Sequence, residues 1–170
     1  IVEYKDTNIS IPLPGKFNIL NALSAIKLAE ELGITLPVIK SGIESLKIIR
    51  GRVEKVDAGQ NFTVVVDYAH TDDSLKKLYE AFPSSRKIAV LGSTGGGRDS
   101  WKRPVLGKIA DENCDEVIIT NEDPYDEDPL HIINAVASGV TRRTPIIITD
   151  RREAIAKAIS LARPGDTVLI

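Results

Sequence analysis

The sequence predicts an α/β protein built on a doubly wound, mostly parallel sheet with helices on both faces, preceded by a small helical segment. Two observations carry this prediction. From residue 50 onward, short runs rich in Val and Ile alternate with segments of helical periodicity. Polar residues rarely interrupt these runs, which is typical of parallel strands buried on both faces. The expected architecture is therefore Rossmann-like.

The first 49 residues predict a smaller and mainly helical segment. An extended stretch is followed by a turn at Pro12–Gly15 and by a helix that ends before Gly33. The apolar residues of this helix recur at helical spacing: Ile19, Ala22, Ile26, Ala29 and Leu32. A second helix is predicted at about Val38–Leu46. Because this segment is too small to enclose a core, we expect it to pack on other sequence.

The remaining elements follow the alternation in order. Two strands, Val53–Val56 and Phe62–Val66, flank a turn at Ala58–Asn61 and predict a hairpin. The elements after it are a helix at Asp72–Phe82, a strand at Lys87–Leu91, a helix at Arg103–Asn113, a strand at Glu116–Thr120, a helix at Pro129–Gly139, a strand at Pro145–Thr149, a helix at Arg151–Leu161 and a strand at Thr167–Ile170. Ligands of such sheets bind beyond the carboxyl ends of the strands. We therefore expect the site in the loops at 67–71, 92–102 and 120–126.

Composition argues against several kinds of partner. The 22 basic and 24 acidic side chains give a net charge of -2, which offers no basic face for nucleic acid or an anionic membrane. The single cysteine, Cys114, has no disulfide partner and no CxxC spacing, which indicates a reducing compartment such as the cytoplasm. No apolar run approaches the roughly 20 residues of a membrane span. The chain lacks Met and stops within an apolar run, so we expect a longer parent.

A glycine-rich loop, residues 92–97, is the first candidate site. Its glycines follow an apolar strand and allow backbone N–H groups to approach an anion. Arg98 and Asp99 stand where a phosphate-binding P-loop needs Lys and Ser or Thr, and the pattern GxGxxG is absent. Arg98, Lys102 and Arg103 are suited to bind a carboxylate or a phosphate. The alternative is a mobile connection without a ligand.

Two further groups of polar residues have both a functional and a structural interpretation. Asp67 and His70 follow an apolar run, and they suit ribose hydroxyls and a phosphate. Alternatively, Asp67 caps the next helix and His70 is solvated. Asn18 and Asn21 lie one helical turn apart, where both carboxamides can face a purine edge. Their alternative is helix capping.

The acidic loop that follows the strand at 116–120 is the third candidate. Glu122 and Asp123 lie nearest to the strand and are candidates for contact with a cationic substrate. Asp126–Asp128 are expected to favour the start of the next helix and to remain solvated. Trp101, beside the glycine-rich loop, is expected to be a packed aromatic residue, and the alternative is that it covers a ligand.

The order and spacing of these segments together resemble the Mur ligase family, most of all its UDP-N-acetylmuramoyl-tripeptide synthetases, which add the third peptide residue. The similar segments lie at 15–22, 51–52, 65–71, 91–104, 120–129 and 150–155. The resemblance implies that residues 1–49 end the central ATPase domain and that residues 50–170 belong to the C-terminal domain. It also implies a monomeric cytoplasmic ligase of peptidoglycan synthesis. Such an enzyme uses ATP and Mg²⁺ to join a free amino acid to UDP-N-acetylmuramoyl-dipeptide through an acyl phosphate.

The resemblance also implies roles for individual residues. Asn18 and Asn21 lie on the adenine side, Arg52 binds the nucleotide phosphates, Asp67 binds the ribose with His70 nearby, and Arg98 holds the carboxylate of the incoming amino acid. Glu122, Asp123 and Tyr125 complete the amino-acid site. The loops are expected to converge at one rim. Family segments that hold the triphosphate are missing, so we expect no catalytic residue and no ligation by these 170 residues alone.

One departure from the family pattern bears on the substrate. Members that use meso-diaminopimelate carry the motif Asp-Asn-Pro-Arg, where this sequence reads Glu122-Asp123-Pro124-Tyr125. Without that Arg, a distal carboxylate loses its partner, and the acidic residues favour an ammonium group. We therefore expect L-lysine or another basic amino acid as the substrate in preference to diaminopimelate. Gly97 also stands where an Asp is usual. The alternatives are a noncatalytic Mur-like binding module and an NAD-binding Rossmann protein.

Overall fold

The computed structural model describes residues 1–97 and 99–170, and Arg98 lies outside the described residues. The chain divides into two compact units, Ile1–Glu54 and Lys55–Ile170. In chain order the elements are β1 (Val2–Tyr4), β2 (Thr7–Ile9), α1 (Lys16–Glu31), α2 (Leu36–Ser45), β3 (Glu54–Val56), β4 (Thr63–Val66), α3 (Asp72–Glu80), β5 (Lys87–Leu91), α4 (Lys102–Asn113), β6 (Glu116–Ile119), α5 (Pro129–Ala137), β7 (Ile146–Ile147), α6 (Arg151–Leu161) and β8 (Thr167–Leu169).

The first unit combines a β-hairpin with two helices. Strands β1 and β2 pair antiparallel, and the turn between them places Lys5 and Asp6 at φ values of 47° and 57°. The hairpin supplies a layer that the sequence did not predict. A small core of Ile9, Ile26 and Ile39 is buried between β2, α1 and α2. The expectation that this segment encloses no core is therefore wrong.

The second unit is built on a six-stranded sheet of order β3-β4-β8-β5-β6-β7. Parallel pairing joins β4 to β8, β8 to β5, β5 to β6 and β6 to β7. On one face, Ile88, Val90 and Ile118 pack with Ala154 and Ala158 of α6. Alternate strand residues that point to the other face are also buried: Val65, Ala89, Val117 and Leu169. The predicted fold class is confirmed.

The predicted elements of this unit are present, with differences at their ends. The strand expected at Pro145–Thr149 is reduced to Ile146–Ile147, because β7 is an edge strand with a partner on one side. The two strands of the predicted hairpin, β3 and β4, are neighbours in the sheet. None of the helices in the described part of the chain has the length and apolar character needed to cross a membrane.

A buried carboxylate, Asp111, joins the end of α4 to the segment after α5. It is 1% exposed and accepts hydrogen bonds from the backbone N–H groups of Thr141 (2.9 Å) and Arg142 (2.8 Å). Nε of Arg143 donates a third bond of 2.9 Å. Burial raises the pKa of Asp111, but these hydrogen bonds and the Arg143 charge outweigh it, so the pKa lies below its ordinary value.

Acid is expected to lower the free energy of unfolding partly through Asp111. Because its folded pKa is depressed, its contribution is complete above the unfolded value of about 3.9 and is lost as the pH falls through the folded value. Urea unfolding between pH 7 and pH 3 measures this loss. Asp111→Asn should be less stable at pH 7 and lose less stability on acidification. Equal acid losses in both proteins would contradict the assignment.

Candidate functional site

The three loops predicted to form the site leave the same edge of the sheet. Strands β4, β5 and β6 run parallel, with β8 between β4 and β5, so their carboxyl ends share one rim. Adjacent strands are about 4.8 Å apart, which separates the ends of β4 and β6 by about 14 Å. The rim therefore carries two groups of side chains. The first group, Asp67 and His70, follows β4, and the second group, Glu122, Asp123 and Tyr125, follows β6 beside the glycine-rich loop. The expectation that the loops leave one rim is thus confirmed. Asp67 and Glu122 lie in different groups along it, and their convergence on one ligand stays a prediction.

The first group follows β4. Asp67 is half-buried, and its backbone N–H donates to the carbonyl oxygen of Ile170 at 2.9 Å. Helix α3 is capped by Thr71, whose side chain accepts from the N–H of Ser74, so the alternative that Asp67 caps this helix is wrong. His70 is exposed, and its ring lies 5.0 Å from that of Tyr68.

The contact of His70 with the backbone fixes its tautomer. Nδ1 lies 2.9 Å from the carbonyl oxygen of Tyr68. Since a carbonyl only accepts, Nδ1 carries a proton. Nε2 is then an acceptor in the neutral ring and a donor in the charged ring. This nitrogen is suited to a phosphate or to a ribose hydroxyl.

The glycine-rich loop after β5 packs against the acidic loop after β6. A Cβ atom added to Gly92 would lie 2.8 Å from Cβ of Glu122, and one added to Gly95 would lie 2.1 Å from the carbonyl oxygen of Pro124. The N–H of Gly95 donates to the carbonyl oxygen of Asp123 at 3.0 Å. These glycines are needed because the two backbones touch. The loop is held by fixed contacts and is not a loose connection.

The buried Arg103 side chain forms an ion pair with the half-buried Glu127 next to this loop. The Arg103 side chain is 2% exposed, and its two terminal nitrogens each lie 2.9 Å from an oxygen of Glu127. The same carboxylate accepts from the N–H of Gly97 at 2.8 Å, and Arg103 also donates to the carbonyl oxygen of Thr94 at 3.4 Å. The hydrogen bonds from Arg103 and Gly97 lower the pKa of Glu127 to about 2.

This pair corrects two expectations from the sequence. Arg103 is not available to bind an anionic ligand, because a buried guanidinium needs a carboxylate partner and Glu127 provides it. Glu127 is not a solvated residue at a helix start. Asp128 does have the expected role, since its side chain accepts from the N–H of Leu130 and caps α5.

The other residues predicted near this group are more exposed. Glu122 is half-buried and Asp123 is exposed. Tyr125 is 75% exposed, with a φ of 51°, and lies against Gly96. Trp101 is 69% exposed, so the expectation of a packed aromatic residue is wrong. The role predicted for Arg98 falls on the undescribed position and stays a prediction.

Asn18 and Asn21 of the first unit are joined to each other. The side-chain amide of Asn18 donates to the carbonyl oxygen of Pro14 at 2.6 Å, and that of Asn21 donates to Oδ1 of Asn18 at 3.2 Å. Gly15, not an Asn, is the N-cap of α1. Asn18 is buried while Asn21 is exposed, so the pair presents one carboxamide at the surface. Arg52 is exposed, and its backbone forms an isolated antiparallel bridge with that of Ile49.

Sequence reasoning missed the structural role of Arg103, although a signal was present. The buried residues of α4 are spaced as one helical face: Arg103, Leu106, Gly107, Ala110 and Asp111. That periodicity places Arg103 on the buried face of the helix.

As to metals, no group of three or more His, Cys, Asp or Glu side chains among residues 1–97 and 99–170 could hold an ion.

The parallel sheet and its polar rim define a Rossmann-like α/β domain. Residues 51–170 match the family described as Mur ligase, glutamate ligase domain, and the chain belongs to the Mur ligase family. The resemblance inferred from the sequence is thereby confirmed, and it replaces the NAD-binding alternative. Among curated relatives, the UDP-N-acetylmuramoyl-L-alanyl-D-glutamate--2,6-diaminopimelate ligase of Solibacter usitatus is 44% identical over 167 residues, which cover 95% of this chain and 34% of the relative. The ligase of the same name from Clostridium tetani is 41% identical over 176 residues, covering 99% and 36%.

Solved structures agree with this membership. A diaminopimelate ligase of the same name superposes with a TM-score of 0.67 at 33% identity, over 95% of this chain and 34% of that one. A folylpolyglutamate synthase of Mycobacterium tuberculosis complexed with ADP has a TM-score of 0.77 at 22% identity, over 96% and 39%, and shows likeness of fold. The chain spans about a third of the length of the curated relatives it matches.

Proposed function

We propose that this chain is part of a monomeric, cytoplasmic, ATP-dependent ligase that adds the third amino acid to UDP-N-acetylmuramoyl-dipeptide in peptidoglycan synthesis. Membership of the Mur ligase family is the observation that carries the proposal. Residues 1–49 belong to the central ATPase domain and residues 50–170 to the C-terminal domain. In this reaction the dipeptide carboxylate takes the terminal phosphoryl group of ATP, and the incoming amine displaces phosphate to form the amide. Bound Mg²⁺ neutralises charge on the phosphates.

The chemistry of the polar residues fits a nucleotide. The exposed carboxamide of Asn21, which is hydrogen-bonded to Asn18, offers a donor and an acceptor for a purine edge. Arg52 is a cation for the phosphates. Asp67 offers a carboxylate to the ribose hydroxyls, and Nε2 of His70 supplies a further polar atom at the same strand end.

The second group on the rim suits an amino acid with two amines. Arg98 supplies a guanidinium for its α-carboxylate. Glu122 and Asp123 supply negative charge for the ammonium group at the far end of the side chain. Tyr125 stands where an arginine would bind a distal carboxylate, and a phenol carries no charge at neutral pH. These residues support L-lysine as the amino acid.

A second candidate is meso-diaminopimelate. The relatives from Solibacter usitatus and Clostridium tetani are both named as 2,6-diaminopimelate ligases, which favours that substrate. In this case, a group other than the residue at position 125 has to bind the distal carboxylate. The two candidate substrates predict different effects of an arginine at position 125.

Tyr125→Arg is expected to shift the preference of the full-length parent toward diaminopimelate. A charge-assisted bond to the distal carboxylate contributes about 1.5–3 kcal/mol, or a gain of about tenfold or more in kcat/KM for diaminopimelate relative to lysine. Phosphate release with lysine, ornithine or diaminopimelate measures the preference. Trp101→Arg adds the same charge at another exposed position near the loop and should leave the ratio unchanged.

The outcomes separate the alternatives. A wild-type parent that prefers diaminopimelate, with a ratio that Tyr125→Arg does not alter, would refute lysine and the role of position 125. Equal use of all three amino acids would refute the roles of Glu122 and Asp123. A parent that releases no phosphate with any amino acid would instead favour the noncatalytic binding module.

A further inference from the structure

We propose that Arg103 and Glu127 are positioning residues that fix the glycine-rich loop, residues 92–97, for binding of the amino-acid substrate. The inference rests on the proposed function and deepens it. Neither Arg103 nor Glu127 is proposed to contact the substrate directly. Both act through backbone groups of the loops that carry the amino-acid site.

The carboxylate of Glu127 joins the two loops of the second group. Glu127 follows the acidic loop that holds Glu122 and Asp123, and it accepts from the N–H of Gly97 at 2.8 Å. Arg103 binds both oxygens of this carboxylate at 2.9 Å and so fixes its orientation. Arg103 also donates to the carbonyl oxygen of Thr94 at 3.4 Å. Thr94 and Gly97 of the glycine-rich loop are thus both hydrogen-bonded to the same ion pair.

The loop needs such external contacts because of its sequence. Gly96 and Gly97 have φ values of 76° and 70°, and glycine populates many other conformations at little cost. A hydrogen bond at Gly97 fixes the backbone directly before Arg98, the residue assigned to the substrate carboxylate. The pair thereby holds residues 92–97 at a fixed distance from the loop that carries Glu122 and Asp123. A substrate held at both ends requires this distance to be constant.

Stability alone does not account for this ion pair. The Arg103 guanidinium loses its hydration, and replacing an ion pair with such a buried charge by apolar residues is often neutral or stabilising. The site also has a further cost, since Nε of Arg103 and Oγ of Ser93 are buried without a hydrogen-bond partner in the part of the chain that the structure describes. Preorganisation of the glycine-rich loop for substrate binding explains why the ion pair of Arg103 and Glu127 is present despite this cost.

The test uses the full-length parent with Glu127→Gln and Arg103→Lys. Each change is expected to raise KM for the amino acid about tenfold, while KM for ATP stays within about twofold of wild type. The control is Glu116→Gln, which breaks the 2.9 Å ion pair with Arg86 at the amino end of β6. It should leave both KM values unchanged. A rise in the two KM values by the same factor would show a merely structural role and overturn the proposal.

Hydrogen exchange provides a second readout that does not depend on turnover. In the 170-residue chain, the amides of Gly95 and Gly97 should exchange faster in Glu127→Gln than in wild type, with no such change in Glu116→Gln. Unchanged exchange in the first variant would overturn the proposal even if its kinetics differ. A wild-type parent without ligase activity would refute the proposed function, and the exchange result would still decide whether the pair fixes the loop.

Discussion

Gly139→Ala is expected to lower the free energy of unfolding by about 3 kcal/mol, because it forces a methyl group into a backbone contact between two helices. A Cβ atom at Gly139 would lie 1.9 Å from the carbonyl oxygen of Pro104 and 2.8 Å from the nitrogen of Lys108. Gly107→Ala should have a similar effect, since its Cβ would lie 2.0 Å from the carbonyl oxygen of Val136.

Neither contact can be relieved by a side-chain rotation. The opposing atoms belong to the backbones of α4 and α5, so the helices themselves must separate. Arg103 lies in the first turn of α4, and Glu127 lies just before α5. A separation of the helices therefore strains the ion pair that holds the glycine-rich loop.

Urea unfolding followed by circular dichroism measures this effect. Gly42→Ala is the control, because it adds the same methyl group to a helix where no described atom lies within 4 Å of the new Cβ. That change should be neutral or stabilising by up to about 1 kcal/mol. Stability of Gly139→Ala within about 0.5 kcal/mol of wild type would show that the helices can move apart freely.

The fold of the second unit was predictable because its strands are buried on both faces. Runs such as Lys87–Leu91 and Glu116–Thr120 are apolar along almost their whole length, and that pattern is encoded locally. The hairpin of the first unit was not predictable in this way. Its turn places Lys5 and Asp6 in the left-handed region without a glycine, so Asp6 is a weak turn signal where a glycine would have been a strong one.

The positions of the three loops were predictable, but the contacts of their side chains were not. The rule that ligands bind beyond the carboxyl ends of parallel strands led to the rim from which all three loops leave. The spacing of α4 did place Arg103 on the buried face of the helix. Sequence could not show that Glu127 is its partner or that Trp101 is exposed, because both outcomes depend on the packing of distant segments. In the same way, sequence reasoning considered Asp67 as the cap of α3 and missed Thr71, the residue directly before the helix.

Division of the rim into two groups predicts that nucleotide and amino-acid binding can be impaired separately. Asp67→Ala in the full-length parent is expected to raise KM for ATP about 10- to 100-fold, since a hydrogen bond to a charged acceptor contributes about 1.5–3 kcal/mol. KM for the amino acid should remain near wild type, because the second group begins about 10 Å away, two strands along the sheet. The fold should persist, since the bond from Asp67 to Ile170 uses the backbone N–H.

The ribose contact itself is tested by removing its hydroxyl groups. Wild type should lose affinity when ATP is replaced by 2′,3′-dideoxy-ATP, whereas Asp67→Ala should bind the two nucleotides alike, because the partner of the hydroxyls is already gone. Asp73→Ala removes a carboxylate that pairs with Lys77 on the exposed side of α3 and should behave as wild type. If Asp67→Ala discriminates between the nucleotides as strongly as wild type does, Asp67 does not bind the ribose, and its effect on KM must arise through another contact at the end of β4.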